Sequence, residues 1–587
     1  MLLPGNGRRR GWPPWRGLAV AAWIVMAVSS ARAVTLELAF RHCFDGNPVR
    51  LDSLAMQDAA GETLAITRWS CLISGIALEK SEGGWVELKD HFGWLDVAAR
   101  RSSVILEDTP PGRYRALRFY LGPDTATNAA DPSHWPAGHP LNINFNGLYW
   151  SMQGGYIFMA LEGRYRSGAN ELRGFSFHLA RDSCRACINM AASLDLTHDA
   201  AVVLDFDLAS LLNTPGPFSL ARDGNTTHSR DGDPVAAALL ARLPGAFRVR
   251  QVLNTAPAIT LPSAIKPLYL PAKITPYPFS FSRAFPIPDL PRDNPLLQER
   301  VALGEKLFHE TALSKNGTVS CASCHDAGSA YADRRGRSVG VHGQNVARNA
   351  MALENLAWKP SFFWDGRAPS LRAQALMPIQ DTIEMDETLD HVTAKLRKSS
   401  EYPRLFGAAF NDQEITPEKI GLALENYLLT LTSYQSKFDK AMRGAEKLNN
   451  DEQRGFELFM TESEPRTGQR GADCFHCHGG PLFSDHQFHN NGLAPDERDP
   501  GRYRITHVES DRNKFVTPSL RNVARTAPYM HDGRFATLEE VMAHYNSGIH
   551  RSDNLDPNLA KHPGNGLQLS EADLKSLVAF LKTLSDE

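Results

Sequence analysis

The chain carries no strong charge of either sign. Lys and Arg number 63 against 66 Asp and Glu, and the net −3 gives nucleic acid no basic surface to bind. It has no long apolar run. Residues 18–28 are apolar but too short to cross a bilayer, and no later stretch is long enough. It has no repeat of the solenoid kind. It also has little cysteine, eight in 587 residues, so a disulfide framework cannot be what holds most of it together.

Four of those cysteines form two copies of one pattern. Cys321-Ala322-Ser323-Cys324-His325 and Cys474-Phe475-His476-Cys477-His478 are both C-x-x-C-H, the attachment signature of c-type haem. The two thiols bond to the haem edge, and one helical turn brings the next histidine beneath the iron. A shared four-thiolate zinc site needs the pairs about 15–20 residues apart. Here they begin 153 positions apart. Two covalent haems are therefore expected, with His325 and His478 as proximal ligands.

Arg8, Arg9, Arg10 and Arg16 precede or flank the apolar stretch, and Ala31-Arg32-Ala33 fits an A-x-A cleavage site. Residues 1–33 are expected to be a secretory signal peptide. The mature protein is then periplasmic and not membrane-spanning. Cys43, Cys71, Cys184 and Cys187 remain. In an oxidising compartment four thiols are expected to pair, in any of three connectivities, with a soft-metal site as the alternative.

The chain divides by pattern. Residues 34–255 alternate apolar and polar positions: Leu36, Leu38 and Phe40; Arg115, Leu117, Phe119 and Leu121; Leu204, Phe206 and Leu208. Period two with Gly, Pro and Asp turns predicts an all-β, sandwich-like domain. Residues 256–291 are a proline-rich linker, with nine prolines between Pro257 and Pro291. Residues 292–587 turn helical. Ile420, Ala423, Leu424, Tyr427, Leu428 and Leu431 follow i, i+3, i+4 spacing, and Ser570 with Asp573 resembles a capping box. Each haem motif lies in its own half, so an all-α domain of two cytochrome c lobes is predicted.

Within that domain Phe362-Phe363-Trp364-Asp365-Gly366-Arg367, Gln374 and Ile383-Glu384-Met385 resemble the bacterial dihaem cytochrome c peroxidases, a superfamily that includes MauG and MbnH. So do Thr526-Ala527-Pro528-Tyr529-Met530-His531-Asp532-Gly533 and Thr537-Leu538-Glu539-Glu540. The resemblance implies peroxide activation at the first haem, with Glu384 as acid/base and Gln374 orienting the oxygen species. It implies Trp364 as an electron relay between haems and a calcium ion held by Asn349, Thr526 and Pro528. His342 falls near a histidine that ligates the first haem in resting peroxidases. Tyr545 occupies the position of the second haem's distal ligand, Met in peroxidases and Tyr in MauG-like enzymes. Met530 and Met542 are rivals. A phenolate is a hard anionic donor and favours oxidised iron, which suits an enzyme that oxidises protein.

The β-rich part resembles MbnP, a copper-binding partner of MbnH, through Ser74-Gly75-Ile76-Ala77-Leu78, Pro111-Gly112-Arg113-Tyr114, Gly147-Leu148-Tyr149-Trp150 and Phe177-His178-Leu179. The resemblance implies a tryptophan oxidised to kynurenine, with Trp150 first and Trp135 next. It implies copper, for which His42, His139, His178 and Met152 are the candidate ligands. The chain departs from the family at Met152, where a second Trp is common, and at Tyr149.

The expected function is a peroxide-dependent dihaem oxidoreductase that oxidises a tryptophan of its own or a homologous β-domain. The alternatives are a cytochrome c peroxidase reducing hydrogen peroxide with electrons from a small donor protein, and a non-enzymatic copper-binding or electron-transfer protein.

Overall fold

The computed structural model describes residues 33–136, 138–150, 154–168, 171–253, 269–463, 468–562 and 564–586. The signal peptide expectation, up to residue 32, lies outside the described residues, as do Met152 and residues 256–268 of the linker. Among the described residues no helix is long and apolar enough to cross a membrane.

Residues 34–253 form two sheets. One runs Phe247–Leu253, Ala200–Asp207, Val34–Phe44, Asn47–Pro48, with Ser103–Thr109 also on Val34–Phe44. The other runs Ala186–Asp195, Arg113–Leu121, Glu62–Lys80, Ile157–Ser167, Arg173–Ala180, Thr226–Thr227, with three short strands along Glu62–Lys80. Apolar side chains of both sheets make one buried core. The alternation from Leu36 to Phe40 is as predicted, every second residue buried.

Two details differ. Ala116 and Leu117 are both buried while Arg115 is exposed, because the pairing register shifts in this strand and breaks the period. Leu208 is not in a strand. Asp207 ends the strand, and its carboxylate accepts the amide of Ala209 to cap the helix Leu208–Asn213.

The four remaining cysteines are free thiols, which corrects the expectation of pairing. Cys43 belongs to the first sheet and Cys71 to the second, both buried. Cys187 points outward from its strand, whereas Cys184 is buried in the turn before it.

From Gln298 onward the fold is helical, in two lobes built alike. In the first, Gln298–Phe308 crosses Pro417–Leu429 at Gly304, where an added Cβ would meet the carbonyl of Ala423 at 2.0 Å. In the second, Asn450–Phe459 crosses Glu571–Lys582 at Gly455, where a Cβ would meet the carbonyl of Ser576 at 1.9 Å. A missing side chain sets each crossing, and one haem motif follows each first helix. Ser570 caps the last helix by accepting the amide of Asp573 at 3.2 Å. The described part of the linker is extended and packed rather than free. Phe279, Phe281 and Phe285 surround Trp358 of the first lobe.

The β-domain docks on the second lobe. A single apolar cluster runs from Trp94, Trp150 and Phe158 to Phe459, Phe475 and Phe580. Arg164 donates to the carbonyl of Leu555 at 3.3 Å, and Lys514 pairs with Asp52 at 3.0 Å.

Candidate functional site

Each C-x-x-C-H takes up one tight turn, Cys321–Ser323 and Cys474–His476. The amide of His325 donates to the carbonyl of Cys321 at 3.0 Å, and that of His478 to Cys474 at 2.8 Å. Nδ1 of His325 lies 2.7 Å from the carbonyl of Tyr331, and Nδ1 of His478 lies 3.0 Å from that of Phe483. A proton on Nδ1 bonded to a carbonyl leaves Nε2 as the free donor, the arrangement an iron ligand needs. Each motif lines its own cavity, about 410 Å³ for the first and about 250 Å³ for the second. The donor set and the cavities fit two covalent haems.

Gln374 and Glu384 both line the first cavity. Gln374 comes from the helix Leu371–Gln380, which starts where Ser370 accepts the amide of Ala373. Glu384 follows it, its amide donating to Asp381 and its carbonyl accepting from Val341 at 2.7 Å. Burial pushes the Glu384 carboxyl up to about 7, helped by Asp381 and opposed by Arg367. His342 does not line the cavity. It is half-exposed and bonds Asp386 at 2.8 Å.

Trp364 lines both cavities, and its indole donates to the carbonyl of Asn349 at 2.9 Å. Asn349, Thr526 and Pro528 all line the second cavity. The Asn349 amide reaches the carbonyl of Gly336 at 3.3 Å.

Tyr545 lines the second cavity from the helix Leu538–Ser547, which is fixed by a capping box between Thr537 and Glu540. Its hydroxyl accepts from Asn491 at 3.2 Å, and the same amide reaches the sulfur of Met530 at 3.5 Å. Met542 also lines this cavity. Burial pushes the Tyr545 phenol up to about 12, with Asn491 acting the other way.

Trp150 is buried at the domain interface, 6% exposed. Its ring lies 6.4 Å from Phe475 of the second haem motif, 5.8 Å from His228 and 6.1 Å from His178. Trp135 lies elsewhere in the β-domain, stacked on His139 at 4.1 Å.

Among the described residues His42, His139 and His178 do not form one cluster of donors. His42 packs against Trp69 at 4.1 Å in the sandwich, where burial lowers it to about 4. His139 is taken by the stack on Trp135, and Met152 is outside the described residues. Only His178 lies among other donors, and these are residues the sequence analysis did not single out: His228, His476 and Glu462. Burial lowers His178 to about 3, with Glu162 opposing, and also lowers His228, with Glu462 opposing. His476 could have been suspected, because it is a second histidine inside a haem motif that needs one. Nothing in the sequence flags His228.

The family described as di-haem cytochrome c peroxidase matches residues 298–447, and the family MbnP matches residues 33–229. The chain is 38% identical over 300 residues to the methylamine utilization protein MauG of Methylorubrum extorquens, covering 51% of this chain and 81% of that protein. It is 32% identical over 308 residues to the cytochrome c551 peroxidase of Nitrosomonas europaea, covering 51% and 84%. A solved MauG-like protein associated with microbial copper homeostasis is 33% identical, covering 53% of this chain and 96% of that one, at a TM-score of 0.48.

Proposed function

The chain belongs to the di-haem cytochrome c peroxidase and MauG family, joined to an MbnP domain, and on that premise we propose that it uses hydrogen peroxide to oxidise Trp150 of its own β-domain. It is a dihaem peroxidase-type oxidoreductase; the tryptophan product, kynurenine or a related species, is the proposal. The observation that carries it is the contact of Trp150 with Phe475, inside the second haem motif. Bound haem supplies the redox chemistry of peroxide and holds the oxidising equivalents. The protein does the rest. Glu384 moves a proton at the first haem, and Gln374 orients the peroxide. Trp364 spans the two cavities as a relay. Phe475, between the two cysteines of the second haem motif, packs against Trp150, and burial limits the water that reaches the indole. Four electrons and four protons leave the indole, two waters supply the oxygen atoms of formylkynurenine, two peroxides take up those electrons and protons as four waters, and hydrolysis then releases formate and kynurenine.

Periplasmic location, copper in the β-domain and calcium at Asn349, Thr526 and Pro528 are proposed on the same footing. A small electron-donor protein belongs to the rival reading, a peroxidase that only detoxifies.

The test is peptide mapping of the haem-loaded full chain after peroxide. Oxygenated Trp150 is the expected result. Oxygenated Trp135 with intact Trp150 would move the site. No modified tryptophan, with fast peroxide turnover on a small donor, would give the case to the peroxidase.

Tyr545 is proposed as the distal ligand of the second haem. Tyr545→Phe is expected to free the sixth position, visible as a spin-state change in the electron paramagnetic resonance spectrum. Tyr545→Met is expected to raise that haem's potential. A Met-to-iron charge-transfer band in the unmutated protein would assign Met530 or Met542 instead.

A further inference from the structure

Where the β-domain meets the second lobe, four donors from different parts of the chain converge. Nδ1 of His178 lies 3.1 Å from Nε2 of His228. Nε2 of His228 and Nε2 of His476 each lie 2.9 Å from the same oxygen of Glu462. The three histidine nitrogens all lie within 4.8 Å of one another. His178 and His228 come from the β-domain, His476 and Glu462 from the haem domain.

We infer that His178, His228, His476 and Glu462 form a metal site shared by the two domains, for a borderline divalent cation of the zinc and copper class. Imidazole nitrogen with one carboxylate oxygen is the donor set such ions take. The spacing agrees. Bonds of about 2.0 Å in a tetrahedron put neighbouring donors about 3.3 Å apart, close to the 3.1 and 2.9 Å separations here. The outer contacts are those of a ligand set. Glu162 accepts from Nε2 of His178 at 2.9 Å, which turns Nδ1 toward the centre as a carboxylate behind a metal-bound histidine does. Lys561 bonds the other oxygen of Glu462 and also lies 3.5 Å from Nε2 of His476.

The alternative is a hydrogen-bonded polar cluster with nothing at its centre. In it the one N–H of His228 Nε2 is divided between two acceptors. Nε2 of His228 would have to serve His178 and Glu462 together, while the Glu462 oxygen takes two imidazoles.

The site bears on the proposed oxidation, since two of its ligands flank Trp150, but it uses no atom of that ring. Its existence therefore does not depend on whether Trp150 is oxidised.

The test uses the full-length, haem-loaded protein. It is stripped with a chelator, which leaves the covalent haems, and dialysed against zinc(II) or copper(II). Bound metal per iron is read by mass spectrometry. One equivalent per chain is expected. His228→Ala and His476→Ala are each expected to weaken binding by at least about 10-fold, the scale on which even outer-shell changes act. His139→Ala should bind as before, and so should Trp150→Phe, which separates this site from the tryptophan reading. An unchanged haem spectrum checks that each variant is folded, and His228→Gln substitutes if His228→Ala is not. No metal beyond iron in the unmutated protein overturns the inference. So does full retention in the folded His228 variant.

Discussion

Replacing Glu384 with glutamine is expected to slow the reaction with hydrogen peroxide by about 10²–10⁴-fold, the usual scale for losing a general acid–base. Peroxide must give up the proton of its inner oxygen and gain one on its outer oxygen. Glu384 lies in the first cavity with Gln374, and among the described residues His325, the proposed iron ligand, is the one histidine that lines it. Burial raises the Glu384 carboxyl to about 7, near the pH at which one group can both take and return a proton. The sign of the pH dependence follows. Below about 7 the carboxyl is neutral and cannot accept the first proton. The rate should therefore rise with pH through about 7 and level off above it, and Glu384→Gln should flatten that rise. Stopped-flow rates that match the unmutated protein at every pH would remove Glu384 from the mechanism.

What the sequence made legible is what local chemistry dictates. The haem turns are set by the spacing of Cys321, Cys324 and His325 and its echo, and each adopts the turn that spacing requires. The alternation in Val34–Phe44 and the cap at Ser570 were readable because neighbours along the chain decide them. Features set by contacts between distant segments were not. The copper set failed because strand alternation says which face a histidine is on, not what faces it. His42 meets Trp69, while His178 meets His476, nearly 300 positions away in sequence. The cysteines failed in the same way, since pairing depends on which sheet and which face each thiol occupies. The proline-rich stretch reads as a linker between two domains. One continuous apolar cluster joins the β-domain to the second lobe. That docking brings Trp150, which the sequence offered only by resemblance, to Phe475.

Gly174→Val is expected to lower the rate of Trp150 modification by about 10²-fold while leaving the peroxide reaction unchanged. Gly174 lies in Arg173–Ala180, the strand that packs on the helix Pro557–Ala560 of the second lobe. An added Cβ there would sit 2.0 Å from the carbonyl of Pro557, where real contacts stay beyond 3.0 Å. The lobe and the strand must then separate by about 1 Å, a displacement that can cost about 10²-fold when reacting groups must be aligned. Valine itself suits a strand, so the β-domain should keep its fold. Glu384 and Gln374 lie in the other lobe and should not register the change. The measurement is a time course of oxygenated Trp150 by peptide mapping, beside stopped-flow peroxide kinetics on the same sample. Loss of modification with intact peroxide kinetics would support oxidation through the docked interface. If Trp150 is modified at the unmutated rate, the docked contact with Phe475 is not the route, and oxidation between chains becomes the better account. Mixing a Glu384→Gln chain, which keeps Trp150, with a Trp150→Phe chain, which keeps the peroxide site, would then test that account, because only transfer between chains could restore modification.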